Sequence, residues 1–137
     1  MEYKNVFPTS VVVGQPIIGE VMLYQYSAKY AEKLPFYDKN PMTYIVAMEG
    51  NAFYGVNLHY TKPMNRSGVL DYIMGNNDFT KLDGYNKYLR SYVQGMFLHL
   101  KGEDLDKAIG MRLEQFVRDI GSIELGMTNQ KIRRLLK

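Results

Sequence analysis

Apolar and polar positions alternate most clearly over residues 19–26. There Val21, Leu23 and Gln25 take one side and Met22, Tyr24 and Tyr26 the other. Both sides are largely apolar, which predicts a strand covered on both faces. Residues 42–49 form a second strand, Glu49-Gly50-Asn51 closes it, and residues 52–60 return as a third. That spacing predicts a tight hairpin with glycine at positive φ. Gly55, inside the third strand, predicts a bulge or a close backbone approach. Residues 27–33 are polar and read as a loop or a single helical turn. Leu34-Pro35 is extended, because a residue before proline avoids the helical region. Asp38, Lys39, Asn40 and Pro41 make a turn. Short strands and tight turns together predict a small antiparallel, SH3-like barrel.

The period changes after Pro63, which is placed to open a helix. Met64, Val69, Leu70 and Ile73 share a side of it, and Gly75-Asn76-Asn77 ends it. Tyr85, Tyr88, Leu89, Tyr92, Val93, Met96 and Leu100 recur at intervals of three and four, predicting a long helix over residues 85–100. Another helix is expected over 104–116, although 116–120 reads equally as a strand. Residues 128–137 predict a short amphipathic helix with Thr128 as cap. Its apolar edge is Ile132, Leu135 and Leu136; Lys131, Arg133, Arg134 and Lys137 surround that edge. The N-terminal segment 1–18 looks like an arm, with Val11, Val12 and Val13 a short strand or part of it. The expected architecture is therefore α+β: an arm at 1–18, a barrel core at 19–62, and a mainly helical part at 63–137 packed on the same domain.

Composition changes this picture in three places. The 137 residues fit one domain, and 46% hydrophobic content is enough for a core. The absence of cysteine excludes disulfides and thiolate metal sites, and favours synthesis in a reducing cytoplasm. No apolar run of about eighteen residues is present, and the N-terminus lacks a signal-peptide layout, so no membrane partner is expected. The net charge of +3 permits contact with a polyanion without demanding it. Twelve tyrosines and no tryptophan suit either β-strands or a protein interface.

Candidate chemistry is sparse. His59 and His99 have no ligand-like spacing, so His59 is expected to be hydrogen-bonded at the core and His99 to cap a helix. Asp38, Glu49 and Asp71 have no evident acid–base partner. No GxSxG, P-loop or GxGxxG is present. No catalytic residue, metal or cofactor is expected, and the chain is read as a non-enzyme. The run Lys131, Arg133, Arg134 and Lys137 is either a solvated face or a dock for DNA or an acidic subunit. Arg66, Lys87 and Arg90 are candidates to extend that basic surface.

Leu34-Pro35-Phe36-Tyr37-Asp38, Pro41 and Phe53-Tyr54-Gly55-Val56-Asn57-Leu58-His59-Tyr60 resemble a block shared by small proteins of tailed bacteriophages. In those proteins it runs close to LPYYDxxPL…GFxGxNLHYLPP, and several are known as DNA end protectors of T4-like phages. The likeness covers residues 19–63, with Thr61-Lys62-Pro63 in place of Leu-Pro-Pro. It implies a virion or packaging protein made in the host cytoplasm, and carries over no catalytic residue. The expected function is a non-catalytic virion component, in several copies, binding neighbouring subunits in the head–tail, neck or tail region. The alternative is a DNA-binding protein that protects or holds genome ends. Strand alternation places Asn57 and His59 on one face, and Val56, Leu58 and Tyr60 on the other. Asp38 is the nearest polar partner, so Asp38, Asn57 and His59 are expected to form a fold-fixing polar link.

Overall fold

A computed structural model of the chain describes residues 6–27 and 37–117. The polar loop with Leu34-Pro35, and the Thr128-capped basic helix, lie outside the described residues. The strands are β1 (Val11–Val13), β2 (Val21–Tyr26), β3 (Tyr37–Asp38), β4 (Met42–Glu49), β5 (Ala52–Asn57), β6 (Tyr85–Leu89), β7 (Val93–His99) and β8 (Phe116–Val117). The helices are α1 (Arg66–Met74) and α2 (Gly102–Ile109). Six strands form one sheet in the order β1-β7-β2-β4-β5-β6, with every neighbouring pair antiparallel. β3 and β8 pair separately.

The doubly apolar pattern of β2 becomes two cores, one on each face of the sheet. Val21 and Leu23 join Phe7, Met42, Leu58, Leu70, Leu98, Leu100 and Ala108 on the face covered by the helices. Met22, Tyr24 and Tyr26 join Ile45, Phe53, Tyr88 and Phe97 on the other. The second core is a nest of aromatic rings: Tyr24 meets Phe53 edge-on at 5.5 Å and Tyr88 at 5.7 Å. Each such pair contributes about 0.5–1.5 kcal/mol beyond the area it buries. The sheet curls around this nest. The Tyr26 hydroxyl on β2 accepts a hydrogen bond at 3.0 Å from the Leu89 amide on β6, across the intervening β4 and β5. Burial raises the phenols of Tyr24, Tyr88, Tyr60 and Tyr26 above their ordinary pKa, so they stay neutral.

Three expectations are corrected. The sheet is curled but not closed, so it is not an SH3-like barrel; β6 pairs β5 and β7 pairs β2 and β1. Among the described residues, 63–117 are not mainly helical: β6 and β7 share them with two short helices. Residues 85–100, read as one helix, are β6 and β7 joined by a 3-10 turn at Arg90–Tyr92. Tyrosine and valine at three- and four-residue intervals satisfied the helical period, but these side chains prefer the pleated surface, and the sheet supplied partners for it. In the described part of the N-terminal segment, Val11–Val13 takes the strand alternative. Phe7 is fully buried, and β1 is an edge strand paired in register with β7. Two smaller departures follow: α2 stops at Ile109 instead of continuing to 116, and β8 takes the strand alternative at Phe116–Val117.

The Glu49–Ala52 pair closes the β4–β5 hairpin, with Gly50 at φ 59°. Gly55 and Gly84 are sites of close approach. A Cβ on Gly55 would run into the Tyr44 carbonyl and the Thr43 methyl; one on Gly84 would run into the Asn57 backbone. Gly84→Ala should therefore destabilise the protein by about 1–3 kcal/mol, the usual cost of overpacking. Gly68→Ala, in open space within α1, should stabilise it by about 0.5–1 kcal/mol. Thermal unfolding of the two variants checks the opposite signs.

Candidate functional site

The side chain of Asp38 organises the end of the sheet where β3, β4, β5 and β8 meet. It is 3% exposed. Oδ1 accepts from the backbone amides of Asn40 and Gln115, both at 2.9 Å. Oδ2 accepts from Asn57 Nδ2 at 3.0 Å and faces His59 Nδ1 at 2.7 Å. An ionised carboxylate has no proton to give, so Nδ1 carries the hydrogen and donates it. Burial pushes the Asp38 carboxyl up, but the charge of His59 and the hydrogen bonds from His59, Asn57 and Gln115 outweigh it and hold the carboxyl below its ordinary value.

Asn57 is satisfied on both ends of its amide. Its Oδ1 accepts from the Met42 amide at 3.1 Å and the His59 amide at 3.0 Å. The second of these ends the strand: β5 stops at Asn57, and Leu58–Tyr60 is a 3-10 turn capped by that side chain. The alternation expected to run through Tyr60 is broken there. Leu58 turns into the helix-side core, while His59 reaches Asp38. The structure thus brings Asp38, Asn57 and His59 together. His59 is fully buried, and its Nε2 has no hydrogen-bond partner among the described residues.

Two further polar anchors hold the surroundings. Arg66 is fully buried, and its guanidinium donates to the carbonyls of Thr61, Ile109 and Met111 at 2.9, 3.0 and 2.7 Å and to Glu114 Oε2 at 3.1 Å. A buried cation is tolerable when its donors are matched in this way. It ties the strap after α2, residues 110–117, against the start of α1. Asp104, in the first turn of α2, accepts from the Thr9 hydroxyl at 2.6 Å, the Ser10 hydroxyl at 2.8 Å and the Thr9 amide at 3.0 Å. The Thr9 hydroxyl is the main reason its carboxyl titrates below the ordinary value.

The remaining sequence candidates disperse. Arg66 is not part of a basic surface; Lys87 is exposed on β6 and Arg90 is half-buried in the following turn. His99 lies on β7 rather than capping a helix, with Nε2 2.6 Å from Glu20 Oε1. Glu49 sits at the hairpin, Asp71 is exposed on α1, and neither joins Asp38. Lys131, Arg133, Arg134 and Lys137 lie outside the described residues. Sequence reasoning missed Arg66 and Asp104 as anchors. An arginine beside a helix start reads as solvated, and only the Asp104 position in a first turn hinted at a capping role. Among the described residues no group of three or more His, Asp or Glu converges as metal ligands, and no helix is long and apolar enough to cross a membrane.

A family described as phage T4 terminal DNA protecting protein matches residues 4–87, more than half of the chain. That span runs from the segment entering Phe7 through β1–β5 and α1 into β6, and so contains Asp38, Asn57 and His59. No curated protein and no solved structure matches the chain.

Because the folded-state pKa of Asp38 is depressed, its contribution to stability is fully present above the unfolded pKa of about 3.9 and fades as pH falls through the lower folded value. Asp38→Asn should cost about 1–3 kcal/mol at neutral pH, from donors left without an ionised acceptor. It should also flatten the acid limb, leaving the share that belongs to Asp104. Melting temperatures measured from pH 7 down to about 2 decide this; parallel curves for the two proteins would exclude the linkage.

Proposed function

The chain belongs to the phage T4 terminal DNA protecting protein family, and on that footing we propose that it shields the ends of a phage genome by binding them. The family match is the observation that carries this reading. The protein acts as a binding component of the particle, without a catalytic step. A linear duplex has two ends, so several copies serve one genome. Bound protein denies an exonuclease the terminus on which it must start.

The phosphate backbone supplies the attraction. Lys131, Arg133, Arg134 and Lys137 are the densest run of cations in the sequence, and we assign them to phosphate contacts. They follow β8, which the Asp38 cluster holds in place through the Gln115 amide and the β3 pairing. The reading as a neck or tail subunit has less support. It leaned on tyrosines as interface residues, and Tyr24, Tyr26, Tyr60 and Tyr88 are buried in the fold.

The test is protection of linear duplex DNA from an exonuclease by the full-length protein. Protection is expected to weaken steeply with salt. Reversing the charge of Lys131, Arg133, Arg134 and Lys137 together should abolish it. The same change should reduce the slope of log affinity against log salt by about 3.6, at roughly 0.9 for each phosphate no longer neutralised. Linear DNA digested at the same rate with and without wild-type protein would overturn the reading.

A further inference from the structure

Phosphate contacts alone do not distinguish an end from the middle of a duplex. Beside the Asp38 cluster lies a recess of about 370 Å³, open to solvent, walled by β2, the β3–β4 turn, β7 and the strap before β8. Its polar lining is Gln25, Gln94, Gln115, Asn40, Lys39 and Ser27, beside Tyr26. We propose that this recess holds the terminal nucleotide of a DNA strand; the proposal rests on the end-protecting reading and locates it.

Four observations carry the inference. First, the lining is polar without an acid: four carboxamides, one cation, Ser27 and Tyr26, and no carboxylate. Asn40 Nδ2 donates to Gln115 Oε1 at 3.3 Å, which leaves Gln25 and Gln94 as the more open amides. A carboxamide offers both donor and acceptor, which is what a base edge requires, and the lysine supplies a phosphate contact. Second, the acids that adjoin the recess in sequence do not line it: Asp38 has both oxygens engaged inside the fold, and Glu114 is paired with the buried Arg66. Third, the glutamines are placed by the sheet. The β2–β7 register shifts between Leu23 and Gln25, and beyond the shift Gln25 stands directly opposite Gln94. A bulge of this kind re-aims side chains at a sheet's end. The Gln25 side chain has no hydrogen-bond partner among the described residues, and that of Gln94 reaches only the nearby Tyr92 carbonyl at 3.4 Å. Fourth, the walls are fixed by backbone bonds. Tyr26 N donates to the Lys39 carbonyl at 2.9 Å, Lys39 N to the Gln115 carbonyl at 2.8 Å, and Ser27 N to the Tyr92 carbonyl at 3.0 Å.

The volume falls in the range of small-ligand sites. A continuous duplex presents no free nucleotide to such a recess. A terminus does, because an unpaired or frayed end nucleotide leaves the stack at the least cost. The recess therefore recognises an end by geometry, with amides that tolerate any base.

The experiment compares two probes with the full-length protein: a fluorescent linear duplex, and the same duplex closed at both ends by hairpin loops. Wild-type protein should bind the linear probe more tightly by about tenfold or more, the scale of one good base-edge contact. Gln25→Leu with Gln94→Leu should remove that preference while leaving affinity for the closed probe intact. Lys39→Ala, made separately, should reduce it. Added mononucleoside phosphates, which share the chemistry, should compete for the linear probe alone. Variants that keep their melting temperature and the full preference for ends overturn the recess and leave end protection standing. A wild-type protein that does not distinguish the two probes overturns end binding itself, and the recess with it.

Discussion

Four donors from three separated stretches of chain converge on one buried carboxylate. Asp38 takes the amide of Asn40 from its own turn, the side chains of Asn57 and His59 from the end of β5, and the amide of Gln115 from the strap before β8. Three of these bonds are buried and the one from Gln115 is part-buried, so losing the carboxylate strands at least the Asn40, Asn57 and His59 donors. The arrangement joins the turn, the central hairpin and the last described strand at one point. Arg66 fastens the same strap further back, at Ile109, Met111 and Glu114. Together they make the end of the sheet a fixed surface from which residues 118–137 continue.

The Asp38–His59 pair has the outward form of an acid–base dyad, and its surroundings argue for a brace. Both side chains are buried, and neither lines the amide-rich recess. What the block around Asn57 contributes is geometry. Asn57 ends a strand, caps a turn and hands its amide to Asp38, while Gly84 gives its backbone room. The residues that carry the family likeness are in this sense structural, and the chemistry facing solvent lies beside them on Gln25, Lys39, Gln94 and Gln115.

Much of this was legible where pattern and burial coincide. The alternation in Val21–Tyr26 and Met42–Glu49, the Gly50 turn and the close approach at Gly55 all follow from period and glycine chemistry. The Asp38, Asn57 and His59 grouping was nominated because polar residues beside a core need partners. The Tyr85–His99 stretch was misread because three- and four-residue spacing of tyrosines fits a helix as well as two strands, and only β5 and β2 waiting alongside decide between them. Arg66 was misread for a related reason: most of its partners are main-chain carbonyls, which leave no mark in sequence. The recess was invisible because the glutamines lie far apart in the chain, and a register shift, not a motif, brings Gln25 opposite Gln94.

We place bound DNA at the end of the sheet that Asp38 holds together. Hydrogen–deuterium exchange of the full-length protein, with and without a short linear duplex, reads that surface directly. Slower exchange at Tyr26–Ser27, Lys39–Asn40, Gln94 and Gln115, joined by the segment beyond Val117, is the predicted result. Protection confined to β1, α1 or α2, or no change on adding DNA, would contradict it.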